Sequence, residues 1–541
     1  MKISSDILRV YKSLHTWVGI TSGLLLFIGF YAGALTMFKQ PLDRWAAAPL
    51  VQLSAADSQQ LDSLINEVLQ QHPSARQDIT VYLKQDESIS APLRWEVHDK
   101  QDEHGHGIDL DAQVWHAGFN ALGEPVSEPV KQSLLGDLID QLHRTAGIPG
   151  HVGDEQLGIL ILGVAGLLYA LALISGLIIL LPTLVKDFFL LRAGKNKKRF
   201  WLDAHNVIGI TSLPFHLIIA FTVVVFAFHD VFYGALAKTV YAEVPMFGSR
   251  GGAPAVQYDL TELAPVADVI QQVKQAAPAF EVTQLRYMGL EGPRPLIRAS
   301  IYNPDYLVHG PVTAYAGVHP YTGEVVMKNM IPGEGSDWSG IVMHFFALHF
   351  GSFGGDPVRW MYFLLGLSGA FLFYSGNLLW VESRRKKQKR NQPLPQQARS
   401  VRWMAAATVG VCLGCIAAVS AAIAGAKLGH WLSAADINGF YLQVYYGIFF
   451  GAVVWAFWHG AAQAAVHLLR LCALTTLLIP LSTLVGWLWP ASAIWAHMSV
   501  PTLMVDVTAL VAGAVFWWAA ERAKRRMVTA TRDNIWSLQT A

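Results

Sequence analysis

Four histidines in this chain come in two matched sets, and imidazole is the side chain nature most often uses to hold a transition metal. His15-Thr-Trp-Val-Gly19-Ile-Thr-Ser22 opens the first long apolar run, and His205-Asn-Val-Ile-Gly209-Ile-Thr-Ser212 opens a later one. Leu142-His143-Arg-Thr-Ala-Gly147 precedes the second apolar run, and Leu348-His349-Phe-Gly351 precedes the fourth. Taken singly, each is an interfacial histidine with its polar tip in water. Taken together, they give one imidazole pair at each face of a membrane, and paired imidazoles at matched depth are axial ligands for a buried haem iron. Glycines four residues after His15 and His205 lie on the same helix face, where a missing side chain leaves room for a porphyrin edge.

Other residues are weaker candidates. His216 falls eleven residues beyond His205, on nearly the same helix face and about 16 Å deeper. It is read as a haem ligand or as a hydrogen-bonding group toward a propionate or a quinone. His229, followed by Asp230, is a further candidate ligand. His344 stands five residues before His349, about 140° around a helix, and is read as structural. His104 and His106 sit among Asp102, Glu103, Asp109 and Asp111 in a spacing that matches no metal geometry, so a solvated loop is expected. His430, His459, His467 and His497 pair in no repeat. Asp506 is the lone acid of an apolar run and a candidate for proton handling. Cys412 and Cys415 lie in an apolar run and are read as small helix residues rather than a redox pair.

The elements that must position these groups are membrane spans. Of 541 residues, 53% are hydrophobic and 15% charged, and mean hydropathy is +0.35. That is a membrane composition. Three cysteines imply no disulfide framework, and the net charge of +1 gives no reason to expect nucleic acid as a partner. Apolar runs near 17–38, 157–181, 206–229, 358–381, 403–425, 439–460, 467–489 and 501–520 predict about eight transmembrane helices. The first run follows Lys2, Arg9 and Lys12 but is too long for a signal peptide and is read as retained. Basic stretches at 195–199, 384–390 and 522–526 fall on the same side as the N-terminus, which the positive-inside rule makes the cytoplasm.

The segments 39–156 and 230–357 then lie outside, each as a small α+β domain. Helical spacing marks 61–69 and 260–276, and alternation marks strands at 79–83, 93–97, 296–301 and 312–316. Residues 1–38 (first helix), 39–156, 157–181, 206–229, 230–357 and 358–381 make a helix–domain–helix unit stated twice. Residues 382–402 form a basic linker, and 403–541 hold a four-helix membrane bundle with a tail. Ile174-Ser175-Gly176 and Tyr374-Ser375-Gly376 recur deep in the second and fourth helices.

The chain resembles the PepSY-associated transmembrane-helix proteins, a family of iron-regulated inner-membrane proteins that includes ferric-siderophore reductases. The likeness rests on Leu14-His15-Thr-Trp17-Val-Gly19 and on Trp201-Leu-Asp-Ala-His205-Asn206-Val-Ile-Gly209 with Leu213-Pro214-Phe215-His216. Leu348-His349-Phe-Gly351 and Phe371-Leu-Phe-Tyr-Ser375-Gly376-Asn377-Leu-Leu-Trp380 complete it, and it covers residues 1–385. It implies a multi-pass protein of the Gram-negative inner membrane, with both termini cytoplasmic and two PepSY-like periplasmic domains. It also implies two b-type haems on His15, His143, His205 and His349, with His216 inside a motif as well. The expected activity is electron transfer to a periplasmic acceptor, a ferric siderophore, from quinol or a cytoplasmic reductase. The rival expectations are a haem-free membrane anchor for periplasmic binding or peptidase-regulating modules, and a permease, for which charged residues and broken helices are too few.

Overall fold

The computed structural model describes residues 4–538 apart from 51, 55–56, 86–88, 98–112, 132, 154, 193–196, 243–257, 309–312 and 433–435. The acidic cluster around His104 and His106 lies outside the described residues. A first unit runs through α1 (Ser5–Thr36), α2 (Lys39–Ala46), α3 (Ser58–Gln71), β1 (Asp78–Tyr82), β2 (Leu93–Val97), β3 (Gln113–Phe119), β4 (Pro125–Val130) and α4 (Leu135–Thr145). A two-residue ribbon, β5 (His151–Val152) with β6 (Glu155–Gln156), leads into α5 (Leu157–Leu180). After the short α6 (Leu184–Asp187) the order repeats as α7 (Lys197–Thr211), α8 (Leu213–Thr239), α9 (Val266–Ala276), β7 (Glu281–Met288), β8 (Leu296–Tyr302), β9 (Ala314–Val318), β10 (Val325–Met327), α10 (Asp337–Phe350) and α11 (Gly355–Arg384). The chain ends with α12 (Arg399–Trp431), α13 (Ile437–Leu488) and α14 (Val500–Thr529).

Seven helices among the described residues are long and apolar enough to cross a membrane: α1, α5, α8, α11, α12, α13 and α14. The eight apolar runs of the sequence agree with this once α13 is divided. Gly460 within it has φ 76° and ψ 158°, which only glycine adopts readily. Before Gly460 the helix runs antiparallel to α12, for Gly429 faces Ile437 and Gly410 faces Val453. After it the helix runs parallel to α12, for Cys472 bonds Leu413, Thr476 bonds Ser420 and Lys427 bonds Thr483. The chain therefore reverses at Gly460 and crosses twice. Large apolar side chains such as Leu167, Leu171, Phe221, Phe450, Val511 and Trp518 are exposed along the spans, as lipid-facing surfaces require.

The run expected as one helix over 206–229 is two. Pro214 has no N–H to give to the preceding turn, and the helix is rejoined at Ser212, whose carbonyl accepts from His216 N–H at 3.1 Å. The helix expected over 260–276 likewise starts later, at Val266, behind Pro265.

The two α+β segments do not stand apart. Their strands form one eight-stranded antiparallel sheet in the order β10-β9-β8-β7-β1-β2-β3-β4. The junction pairs β1 with β7, Thr80 opposite Arg286, so the halves are arranged about a local two-fold. Alternation along β1 sends Ile79 and Val81 to one face, and Leu285, Tyr287, Ile297 and Ala299 continue it. Helix α3 covers that face with Leu61, Leu64, Ile65 and Val68, and α9 with Val266, Val269 and Val273, in a single core. At about 1.5–3 kcal/mol per fully buried aliphatic side chain, this shared core ties the halves together.

Candidate functional site

His15 stands in the first half of α1, and its ring meets that of His205 from α7, the centroids 6.5 Å apart. His143 of α4 and His349 of α10 meet at the other depth, with centroids 6.1 Å apart. An iron with two axial imidazoles, each Fe–N bond about 2.0 Å and each Nε2 about 1.1 Å from its ring centre, sets centroids roughly 6.2 Å apart. Both pairs match that span. Along α1, the His143 ring lies level with Gly29 and Gly33, 14 to 18 residues beyond His15, so the pairs are separated by about 21–27 Å.

In all four imidazoles Nδ1 is held. His15 Nδ1 lies 2.8 Å from the Ala172 carbonyl and His143 Nδ1 2.8 Å from the Gly29 carbonyl. A carbonyl only accepts, so both nitrogens carry the proton. His205 Nδ1 lies 2.9 Å from Ser375 Oγ, and His349 Nδ1 2.8 Å from Thr222 Oγ1. These hydroxyls already donate to helix carbonyls, Ser375 to Leu372 and Thr222 to Ile218, so they too accept from Nδ1–H. Each ring is thereby left with a bare Nε2 lone pair, the tautomer that ligation needs.

Glycines make room for the rings. A Cβ on Gly176 would lie 3.0 Å from His15 Cε1, and one on Gly33 would lie 2.5 Å from His143 Nδ1. Beside the far-side pair there is open space: a Cβ on Gly19 would meet nothing within 4 Å, and one on Gly209 only Leu372 at 3.8 Å. Among the described residues no three His, Cys, Asp or Glu side chains gather as a metal site. A zinc-type centre would need three or four protein ligands. Two imidazoles suffice only where the cofactor supplies the other four, as a porphyrin does. The residues present fit a haem at each pair.

His143 and His349 precede the second and fourth spanning helices. They sit on the short helices α4 and α10, which turn into those spans. Ala146 and Gly147 (φ 52° and 75°) make the first turn, and Gly351, Gly354 and Gly355 (φ 62° to 66°) make the second. The left-handed conformation ends a helix and redirects the chain. The last bundle grips α4. Asn438 Oδ1 accepts from Leu134 N–H at 2.9 Å, and Tyr446 donates its hydroxyl to the Gly147 carbonyl at 3.0 Å. Asp43 Oδ1 accepts from Gly136 N–H at 2.6 Å, at the positive end of α4. Burial pushes the Asp43 carboxyl up to about 7, against the opposing pull of that N–H.

His216 joins neither pair. It is wholly buried, and neither ring nitrogen has a hydrogen-bond partner. Its ring lies 5.7 Å from Phe30, 6.0 Å from Tyr169 and 5.3 Å from Phe215, at a depth between the two pairs. His229 is exposed, 3.4 Å from Asp230 and stacked edge-on with Tyr233, away from both pairs. His344 bonds its own helix at Gly340. Cys412 and Cys415 are buried free thiols. Sequence spacing missed Thr222 and Gly33. The repeated Ser-Gly of the second and fourth helices was the available signal for the groups that hold His15 and His205.

The family model for the PepSY-associated TM region matches residues 12–383. No curated protein matches the chain. The match covers more than half of the sequence and spans both helix–domain–helix units with all four paired histidines. The chain is a multi-pass membrane protein and belongs to the PepSY-associated TM region family.

Proposed function

We propose that this protein carries electrons across a bacterial inner membrane on two b-type haems and delivers them to a ferric siderophore on the side of the sheet domain. The observation that carries the reading is the pair of imidazole pairs, one per face, all four rings held at Nδ1 with Nε2 bare. His15 and His205 would hold the haem remote from the sheet, and His143 and His349 the haem nearest it. Bound there, a haem supplies reversible one-electron chemistry in a medium that water does not enter. The chain's own part is to fix ring orientation through Ala172, Ser375, Gly29 and Thr222, and to exclude solvent with the apolar spans.

The basic stretches Arg384–Arg390 and Arg522–Arg526 end α11 and α14 on the face opposite the sheet. By the positive-inside rule that face is cytoplasmic, along with both termini, and the sheet is periplasmic. Quinol or a cytoplasmic reductase would supply the electrons. Reducing the chelated ferric ion makes it a softer acid, which hard oxygen donors hold less well, so the iron is released.

The test is a reduced-minus-oxidised spectrum of the purified protein. A b-type α band is expected, with two haems per chain by pyridine haemochrome. His15→Ala and His349→Ala should each remove about half of the haem. A colourless wild-type protein would sink the reading and leave a haem-free membrane anchor.

A further inference from the structure

The last three helices lie outside the family match, and where they meet the duplicated unit there is a cavity of about 170 Å³. Its walls come from α1, the adjoining α2, α11, α12, α13 and α14, and they are aromatic, with Phe38, Trp360, Phe363 and Phe516. Four hydroxyl residues lie on this lining, Tyr31, Ser420, Thr476 and Thr508, and the first three come from three different helices. Thr476 donates to Ser420 at 3.0 Å, and Tyr31 shares the lining with them.

One turn beyond the lining residues Ile423 and Ile479, toward the sheet side, lies a buried charged cluster. Lys427 Nζ donates to Thr483 Oγ1 at 2.8 Å, and Thr483 and Trp45 both donate to Asp506 Oδ1 at 3.0 Å. Lys427 Nζ also lies 3.9 Å above the Trp45 ring. Asp506 is 9% exposed, and its Oδ2 is enclosed without a partner. A carboxyl oxygen left unbonded at membrane depth costs several kcal/mol, and an ionisable residue kept there despite that cost is a functional candidate.

We propose that this cavity is the binding site of a membrane quinol, which serves as the electron donor; the proposal rests on the function put forward above. An apolar pocket with a few convergent polar groups is the form a small-molecule site takes. Aromatic walls suit a ring, and the hydroxyl trio suits its oxygens. A lipid acyl chain would leave the hydroxyls unused. The doubly wound parallel sheet that binds nicotinamide dinucleotides is not found among the described residues, whose strand pairs are all antiparallel. The site is also close to the imidazoles. Tyr31 projects from the side of α1 opposite Gly29 and Gly33, so one helix, about 10 Å thick, separates it from His143.

In the step, both O–H bonds of the quinol break and it leaves as quinone. Its two electrons would leave one at a time toward the group that His143 and His349 would hold, and from there to the acceptor on the sheet side. Two protons are released toward the sheet side, where Asp506 Oδ2 lies enclosed and without a partner one turn beyond the lining. One quinol would thus supply two one-electron acceptors in turn, and the group that His15 and His205 would hold would take electrons that enter from the opposite face.

The full-length protein in detergent is titrated with decylubiquinone by equilibrium dialysis, then mixed with decylubiquinol while haem absorbance is followed. Ala512→Trp, which fills the cavity from α14, should weaken decylubiquinone binding and slow quinol-driven reduction by at least about tenfold. Its dithionite-reduced spectrum should be unchanged. Thr476→Val, close in shape but without the hydroxyl, should weaken binding severalfold. Binding indifferent to both substitutions would overturn the proposal, as would displacement of the quinone one for one by dioleoylphosphatidylglycerol. If wild-type protein binds decylubiquinone yet shows no α band, the site stands and the haem reading falls.

Discussion

Holding Nδ1 decides what Nε2 can do. With its proton held by a carbonyl or a hydroxyl, the ring is kept from turning to bond elsewhere, and its other nitrogen keeps its lone pair. Ser375→Ala should therefore leave His205 in place but loosen its orientation, which a broadened low-spin signal in electron paramagnetic resonance would report. Gly19 provides a sharper test. A side chain there meets no protein atom within 4 Å, so Gly19→Leu should fold normally, with an unchanged melting temperature, and lose about half of the haem. Full haem content in that variant would argue that no porphyrin edge lies beside Gly19. His216 is the converse. Its ring touches aromatic residues and no second imidazole, so His216→Phe should retain two haems per chain by pyridine haemochrome. Loss of one would make His216 a ligand. Two unpartnered nitrogens cost on the order of 1–3 kcal/mol each, so the same variant should be at least as stable as wild type.

At the scale of elements, α4 and α10 are the parts most easily moved. Each is short, ends in a left-handed turn and carries one imidazole of the sheet-side pair. Helix α4 is held from the last bundle by Asn438 and Tyr446 and capped by Asp43. Asn438→Ala removes about 1 kcal/mol of that hold, so amide exchange at residues 134–145 should quicken roughly fivefold, with α10 unaffected. Asp43 adds a pH dependence. Its carboxyl titrates near 7 in the fold and near 4 when unfolded, so the folded state binds the extra proton between those values. Its favourable contribution is present at low pH and is lost as pH rises through about 7. Asp43→Asn, measured against wild type by thermal unfolding at pH 5 and at pH 8, should gain relative stability at the higher pH, on the order of a few kcal/mol at most. An equal difference at both values would refute the raised carboxyl.

At the scale of the molecule, the duplication builds two things that neither half builds alone. One is the continuous sheet, in which β1 and β7 close the seam. The other is each imidazole pair, for His15 and His143 belong to the first unit and their partners to the second. Each pair therefore crosses the unit boundary. A chain cut in the basic linker after residue 385 keeps both units, but it loses Asn438 and Tyr446 from beside α4 and the α12–α14 wall of the cavity. It should hold the His15–His205 haem more firmly than the other, which stepwise haem loss during purification would reveal.

Much of this was legible in one dimension. Apolar length counts the crossings, charge between the runs orients them, and distance along a helix at 1.5 Å per residue sets how deep each histidine sits. The repeated phrase around His15 and His205 thus determined that two imidazoles share one depth, and the family likeness followed from the same residues. The tertiary structure decided what local pattern cannot encode. That His216 stands among aromatic rings such as Phe30, that Thr222 and a backbone carbonyl at Gly29 orient the sheet-side pair, and that two outer segments share one sheet each depend on at least one contact between residues more than a hundred positions apart. Periodicity reports which face of an element is apolar, not which distant element will cover it.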